Sequence, residues 1–251
     1  MIELQNVVVG YGKQTVLNDV SAVFEKGRMT SIIGVNGCGK STMLKTILGM
    51  VPLRSGTISI DGEHIGSMNR TAIARKIAYL SQGRNTPDMT VEQMVLHGRF
   101  PHLNYPRRYT KQDYAIASSA MEQVGITHIA HKPLPALSGG MRQNTYIAMA
   151  LAQGSEYVLL DEPTTYLDIA HQLELMKLLR SLADSGKGIV IVTHDIQLAF
   201  TFSDNILLLN EGSVFSNGTP EAVCAQKAID RIMGVSLEYS DAGYFYRYQS
   251  L

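Results

Sequence analysis

A glycine-rich segment at residues 34–42 constrains the fold of this chain more than any other feature. It fits the pattern G-x-x-x-x-G-K-[ST], with Gly34 first and Lys40-Ser41 last. The apolar residues 29–33 before it are typical of a buried strand, and apolar residues recur after it at helical spacing. A loop between a strand and a helix directs several backbone N–H groups toward one point, so this context indicates a phosphate-binding site.

The loop also supplies the side chains that a bound nucleotide needs. Lys40 is expected to reach the outer phosphates, and the Ser41 hydroxyl is expected to bind Mg²⁺. A glycine-rich turn in an unrelated α/β protein is the alternative, and both flanking elements argue against it. Two hypotheses remain open for Cys38: a thiolate favoured by the helix N-terminus and Lys40, or a tolerated loop residue. The candidate nucleotide-binding residues of the loop are Gly34, Asn36, Gly37, Cys38, Gly39, Lys40, Ser41 and Thr42.

Length and composition limit the classes of protein to which this chain can belong. Its 251 residues allow one large domain, or a core with a subdomain, and 45% of them are hydrophobic. The 22 basic residues balance the 22 acidic ones, which argues against nucleic-acid binding through the overall field but leaves local patches possible. We expect no membrane-spanning segment and no signal peptide, and two cysteines without a CxxC pattern favour a reducing cytosol. Any connection to a membrane then runs through a partner.

The order of strand and helix patterns predicts an α/β fold. Residues 1–86 combine antiparallel strands with the phosphate loop, residues 87–155 lose the β-branched runs and gain helix caps, and residues 156–251 resume the alternation of strands and helices. In the first segment, Ser55-Gly56 is interpreted as a turn before a strand at 57–60. In the third, five apolar residues are expected on one face of a helix: Ile169, Leu173, Met176, Leu179 and Ala183.

Two adjacent carboxylates close an apolar strand at residues 157–162. The carboxyl ends of such strands are where open α/β sheets bind ligands. Asp161 can hold the Mg²⁺ that bridges nucleotide phosphates, directly or through water. Because strand residues alternate, Glu162 is expected to point elsewhere and to deprotonate an attacking water. An acidic surface turn is the alternative, and the nearby phosphate loop makes it the weaker one.

A second short glycine motif precedes a helix predicted at about 141–153. Ser138 is a plausible N-cap, and Gly139 and Gly140 expose the first N–H groups of the helix. Such a helix end binds phosphate, but the nucleotide of the first loop already has a complete set of contacts. A plain loop turn is the alternative, since Ser-Gly pairs commonly form turns.

Taken in order, these motifs resemble those of the ATP-binding-cassette (ABC) ATPases, and the resemblance covers essentially the whole chain. The matching elements are Walker A at 34–42, the Q-loop at Gln82, the signature at 137–140, Walker B at 157–162, the D-loop at Asp168 and the switch histidine at His194. Tyr11 matches the aromatic residue that the family stacks on adenine. Without the other motifs, His194 would be interpreted as a histidine at the end of a strand whose ring hydrogen-bonds to the backbone. Tyr11 would be interpreted as a residue at the tip of a hairpin that needs no ligand. Met141 departs from the family's usual Gln and lacks the amide donor.

The resemblance implies a P-loop NTPase (RecA-like) core with an antiparallel β subdomain and an inserted α-helical subdomain. It also implies a head-to-tail homodimer in which each ATP lies on one chain's Walker A and under the partner's Ser138, Gly139 and Gly140. The implied catalytic residues are Glu162 as general base, His194 at the γ-phosphate and attacking water, Lys40, and Gln82 as a reporter of Mg²⁺ and γ-phosphate. The implied metal-binding residues are Ser41, Gln82 and Asp161, and Asp168 joins the nucleotide-binding set.

The absence of fused membrane helices, of a second cassette and of a long coiled coil favours the ATPase subunit of an importer with separate permease chains. Residues 98–102, residues 163–168 and the pair His171-Gln172 look like cassettes that import iron–siderophores, haem or cobalamin. The expected partners are a second cassette, a membrane permease and, indirectly, an extracytoplasmic solute-binding protein, with the chain on the cytoplasmic face of the membrane. The alternatives are an ATPase that energises import of another solute and a soluble ABC ATPase that acts on nucleic acid. Nucleic acid is not expected as a partner of this chain.

Overall fold

A six-stranded sheet forms the centre of the computed structural model, which describes residues 1–83, 86–165, 167–240 and 243–247. The strands are β1 (Ile2–Tyr11), β2 (Gln14–Phe24), β3 (Met29–Gly34), β4 (Leu53–Ile60), β5 (Glu63–His64), β6 (Ile77–Leu80), β7 (Tyr157–Asp161), β8 (Gly188–Val192), β9 (Asn205–Asn210), β10 (Ser213–Gly218), β11 (Ser236–Ser240) and β12 (Gly243–Arg247). The α-helices are α1 (Lys40–Ile47), α2 (Arg70–Lys76), α3 (Val91–His97), α4 (Lys111–Gln123), α5 (Gly139–Ala152), α6 (Ile169–Asp184), α7 (Ile196–Phe202), α8 (Pro220–Ala225) and α9 (Ala228–Met233).

The central sheet brings the candidate site residues to one edge. Its strand order is β10-β9-β3-β8-β7-β6, and every pair except β10–β9 is parallel. All residues of β7 and β8 are buried, which explains why these strands are continuous apolar runs. Because parallel strands end at the same edge, β3, β6, β7 and β8 lead the chain to the phosphate loop, Gln82, Glu162 and His194 at that edge.

A second sheet, of order β2-β1-β4-β5, packs with α1 against one face of the central sheet. The expected turn at Ser55-Gly56 is wrong, because both residues lie inside β4. The register between β1 and β4 shifts so that Asn6 and Val7 face the single residue Gly56, whose φ is 83°. This is a β-bulge whose extra residue lies in β1, and Gly56 opposite it adopts the left-handed backbone that a turn can also require, with the Asn6 carbonyl oxygen 2.3 Å from where a Cβ would lie.

Three helices and short 3₁₀ turns occupy the described residues between β6 and β7. Helices α3 and α4 both begin at capping boxes, where the hydroxyls of Thr90 and Thr110 accept hydrogen bonds from the backbone N–H of Gln93 and Asp113. Their apolar faces pack with α5 and α6 in a cluster that also includes residues of β6, β7 and β8. The division of the chain into three segments stays a prediction.

Helix α6 buries a different set of residues from the expected one. Ile169 and Leu173 are 76% and 38% exposed, and burial begins only at Leu175. The first turns of α6 extend beyond the packed core, so apolar spacing in this part of the helix does not indicate burial. The buried residues of α6 are Leu175, Met176, Leu179, Leu182 and Ala183.

The remainder of the described chain forms a third apolar cluster around α7, α8 and α9. The β11–β12 hairpin contributes Tyr244, whose ring meets Phe200 of α7 edge-on at 5.2 Å between centroids. Among the residues that the structure describes, none of the helices has both the length and the apolar character needed to span a bilayer.

Candidate active site

The phosphate loop is shaped by the close approach of two backbone segments. Gly34 has a φ of 151°, and a Cβ at this position would lie 2.3 Å from the carbonyl oxygen of Leu209 in β9. It would also lie 2.7 Å from the Cys38 sulfur. Only glycine fits here, because the backbone at this position passes between Leu209 of β9 and the side chain of Cys38.

Lys40 is a buried cation at the start of α1. The side chain is 6% exposed, and its Nζ donates to the carbonyl oxygens of Gly34 at 2.9 Å and Val35 at 3.0 Å. Within the described residues no carboxylate lies within ion-pair distance of this ammonium group. A buried charge is costly unless an opposite charge accompanies it. The arrangement therefore suits an anionic ligand bound against the loop.

Ser41 and Asp161 bring two oxygen ligands together beside this loop. The Ser41 hydroxyl donates to Oδ1 of Asp161 at 2.9 Å, and the Tyr79 hydroxyl lies 3.4 Å from Oδ2. Burial raises the pKa of Asp161, the hydrogen bond from Ser41 opposes this, and the charge of Glu162 raises it further. A nearby cation would stabilise the ionised form, and carboxylate and hydroxyl oxygens are ligands that Mg²⁺ prefers.

Glu162 is separated from Asp161 by a reversal of the backbone. The alternation expected along a continuous strand is wrong, because β7 ends at Asp161 and Glu162 has a φ of 51°. Its backbone N–H still donates to the carbonyl oxygen of Val192 at 2.9 Å, which extends the contact between β7 and β8. The left-handed conformation is costly for a glutamate, so the surrounding contacts must hold it.

Three side chains converge on the carboxylate of Glu162. Gln82 Nε2 donates to Oε2 at 2.6 Å, and Thr165 Oγ1 donates to the same oxygen at 3.3 Å. His194 Nε2 lies 2.5 Å from Oε1 and donates to it when it carries the proton. The structure thus brings together Gln82, Glu162 and His194, which are far apart in the sequence.

The second glycine motif borders a cavity that Glu162 also lines. Ser138 caps α5, and its hydroxyl accepts from the N–H of Met141 at 3.3 Å. Gly139 lines a cavity of about 210 Å³ together with Gln82, Asp161 and Glu162. No residue of the 34–42 loop, all of which the structure describes, lines this cavity. This cavity therefore joins the second glycine motif to Glu162 and not to the phosphate loop.

Asp168 and Tyr11 are exposed. Asp168 caps α6 and accepts from the N–H of His171 at 2.9 Å. Tyr11 ends β1 opposite Gln14 and is 53% exposed. Both side chains are therefore accessible to a ligand or to a second chain.

The structure contradicts the thiolate hypothesis for Cys38. The side chain is buried, and this burial raises the pKa of the thiol by more than the charge of Lys40 lowers it. A neutral thiol packed among apolar residues is the remaining interpretation.

Three residues with contacts in the site were not among the candidates. Tyr79 contacts Asp161, Thr165 contacts Glu162, and His171 contacts Asp168. Thr165 and His171 lie in segments that resemble those of metal-chelate importers, and such a resemblance does not indicate the contacts of single side chains. Tyr79 lies on β6, which pairs with β7, so only knowledge of the strand order would have indicated its contact with Asp161.

The fold and this site define the class of the protein. The family model for ABC transporters matches residues 17–165, which is more than half of the chain. The chain belongs to the ABC transporter family. It is the ATP-binding subunit, an ATPase whose hydrolysis of ATP is coupled to transport and which works peripherally at the membrane with permease partners.

Two relatives are similar to this chain over most of its length. The ferric enterobactin transport ATP-binding protein FepC of Escherichia coli (strain K12) is 40% identical over 92% of this chain and 86% of its own length. The iron(3+)-hydroxamate import ATP-binding protein FhuC of Bacillus subtilis (strain 168) is 39% identical over 94% of this chain and 89% of its own length.

Solved structures agree with the fold. A chain of an ABC transporter in an inward-facing conformation is 26% identical, with a TM-score of 0.85, covering 100% of this chain and 97% of its own. A dimeric ATP-binding cassette in a post-hydrolysis state, bound to ADP and Pi, is 28% identical, with a TM-score of 0.75, covering 88% and 99%. The expected fold class, a P-loop NTPase core with its two additions, is confirmed.

Proposed function

We propose that this chain energises the import of a metal chelate, namely an iron–siderophore, haem or cobalamin, by hydrolysing ATP beneath a separate permease. Two similar relatives carry names that refer to ferric enterobactin and iron(3+)-hydroxamate. The resemblance of residues 98–102, residues 163–168 and His171-Gln172 to such importers supports the same substrate class. The observation that carries the ATPase chemistry is the convergence of Gln82 and His194 on Glu162, next to the Asp161 that Ser41 of the phosphate loop contacts.

The roles of the residues follow from their chemistry. The N–H groups of the 34–42 loop and Lys40 bind the phosphates. Ser41 and Asp161 would supply oxygen ligands for Mg²⁺, with Gln82 as a further ligand, and the ion would neutralise phosphate charge.

Glu162 accepts a proton from water as the water oxygen bonds to the γ-phosphorus and the bond to the ADP oxygen breaks. His194 holds the γ-phosphate and the attacking water. Gln82, Thr165 and His194 fill about three of the roughly four acceptor positions of this carboxylate, so the water must use the remaining position or replace one of these donors.

A second copy of the chain completes the site in this proposal. The cavity at the Ser138 glycine motif is lined by Glu162 and by no residue of the chain's own phosphate loop, and a helix N-terminus with two glycines in its first turn suits an anion. In a head-to-tail homodimer, Ser138, Gly139, Gly140 and Asp168 of one chain meet the nucleotide held by Walker A of the other. Tyr11 stacks on the adenine.

Substitution of the proposed base tests the mechanism. Glu162→Gln removes the proton acceptor and keeps the shape of the side chain, so ATP binding persists and phosphate release falls by about 10²–10⁴-fold. The trapped protein accumulates as an ATP-bound dimer in size-exclusion chromatography. Glu122→Gln, an exposed change on α4, serves as the control with normal turnover. Normal hydrolysis by Glu162→Gln would rule out the base assignment.

The substrate and partners require a separate experiment. Co-purification with a membrane permease, followed by uptake of ferric siderophores, haem and cobalamin with the matching solute-binding protein, is expected to identify one chelate. Protease accessibility in right-side-out and inverted vesicles is expected to place the chain on the cytoplasmic face. Salt-sensitive DNA binding with stimulation of the ATPase would instead support the nucleic-acid alternative.

A further inference from the structure

The first turn of α6 carries a histidine that contacts two parts of the proposed site. His171 Nδ1 lies 2.8 Å from each carboxylate oxygen of Asp168, and its backbone N–H donates to Oδ1 at 2.9 Å. A carboxylate can only accept, so Nδ1 carries a proton and donates to Asp168. The imidazole ring is thereby fixed against the residue that caps α6.

The same ring packs on the first turn of α5. A Cβ built on Gly140 would lie 2.9 Å from Cδ2 of His171 and 3.4 Å from both Cγ and Nε2. The φ of Gly140 is outside the left-handed region, so its backbone would admit other residues. The neighbouring imidazole would have to move to admit a side chain at this position. His171 therefore joins the second glycine motif to Asp168.

Gln172 holds the segment that connects Glu162 to α6. Its Nε2 donates to the carbonyl oxygen of Leu167 at 3.0 Å and lies 3.4 Å from that of Thr164. Next to Thr164, the Thr165 hydroxyl donates to Oε2 of Glu162. A continuous set of contacts thus runs from the carboxylate of Glu162 through this segment and His171 to Gly140.

We propose that His171 and Gln172 are positioning residues for ATP hydrolysis, which fix the segment after Glu162 against the second glycine motif of the same chain. This inference rests on the proposed function of Glu162 and of that motif. Each chain supplies Glu162 to one nucleotide and its glycine motif to the other. The pair therefore links the geometry of the two sites within one chain.

The contacts are suited to setting geometry and add little to global stability. The side chains of His171 and Asp168 are 50% and 66% exposed, and ion pairs with this exposure stabilise a fold only weakly. A small displacement of a catalytic group can nevertheless lower a rate by about 10²-fold. Substitution of His171 or Gln172 should therefore slow ATP turnover in a protein that remains folded.

Steady-state ATPase kinetics of the full chain with its permease test this inference. His171→Ala and Gln172→Ala are each expected to lower kcat by about 10- to 100-fold, with KM for ATP changed less than about twofold, because Walker A is untouched. The thermal midpoint should stay near that of the parent protein. The matched control is His131→Ala, since His131 is 89% exposed and its ion-pair contact, to Glu92, is at 3.9 Å. This control should leave both constants unchanged.

A conservative variant separates positioning from simple packing. His171→Asn places an amide donor where Nδ1 lies, so it should recover most of the kcat that His171→Ala loses. If the parent protein hydrolyses ATP and Glu162→Gln abolishes turnover, unchanged kcat in both alanine variants overturns the inference alone. Equal loss in the Asn and Ala variants also overturns it. A parent protein without ATPase activity refutes the proposed function, and the inference with it.

Discussion

At the scale of single residues, the site depends on groups held in costly states. Lys40 is a buried ammonium whose described acceptors are carbonyl oxygens, and Glu162 adopts a left-handed backbone. Asp161 is buried with a raised pKa. Such departures concentrate where a protein binds or transforms a ligand. The sequence identified all three residues, because their types and spacing belong to motifs, but it did not reveal the backbone reversal at Glu162.

Cys38 gives a prediction at this scale. Because burial raises the pKa of its thiol, maleimide reagents should leave Cys38 unmodified in the native protein and label it after denaturation. Mass spectrometry of the peptide that contains Cys38 measures the labelling, and ATPase activity should survive treatment. Rapid native labelling with loss of activity, absent in Cys38→Ser, would contradict this.

At the scale of elements, the sequence predicted strands and helices well where one period dominated. The burial of β7 and β8 follows from their uninterrupted apolar residues, and α3 follows from the capping box at Thr90. The errors arose where one local signal has two causes. Gly56 meets the needs of a bulge as well as those of a turn, and Ile169 has helical spacing without a surface to pack on. Only tertiary contacts distinguish these cases.

The bulge gives a prediction for the antiparallel sheet. A Cβ at Gly56 would lie 2.3 Å from the carbonyl oxygen of Asn6, so Gly56→Ala should lower the free energy of unfolding by more than about 2 kcal/mol. Gly62→Ala is the matched control, since Gly62 has a similar φ of 82° and nothing within 4 Å of the added Cβ. Urea unfolding measures both variants. Equal costs would mean that backbone conformation alone, and not the approach of β1, selects glycine at position 56.

At the scale of the whole molecule, a few carboxylates join segments that lie far apart in the sequence. Asp61 follows β4 and accepts from the Tyr157 hydroxyl of β7 at 2.9 Å, and Lys26 lies 3.2 Å from it. Partial burial opposes ionisation of Asp61, but hydrogen bonds from the Met1 amine, Tyr157 and Lys26 hold its pKa well below the usual range. No pattern in the sequence pairs these residues, because their proximity depends on the order of strands in two sheets.

This arrangement predicts the response of stability to acid. The folded pKa of Asp61 is lowered, so its contribution is present above the unfolded value near pH 4 and is lost as pH falls toward the folded value. At pH 7, Asp61→Asn should lower the free energy of unfolding by about 1.5–3 kcal/mol, and the difference should narrow below pH 4. Urea unfolding between pH 7 and pH 3 measures it, with the exposed Asp88→Asn as control. A difference that stays constant over this range would exclude the ionised carboxylate as its source.

The three hydrogen bonds that converge on Glu162 affect how much ATP the cell consumes when no substrate is being transported. The Glu162 carboxylate accepts from Gln82, Thr165 and His194, and these donors fill about three of its roughly four lone-pair positions, which leaves little room for an attacking water. In this resting arrangement the base is restrained. A subunit bound to an inactive permease would then hydrolyse ATP slowly, and the rate of hydrolysis would rise when a transport substrate arrives.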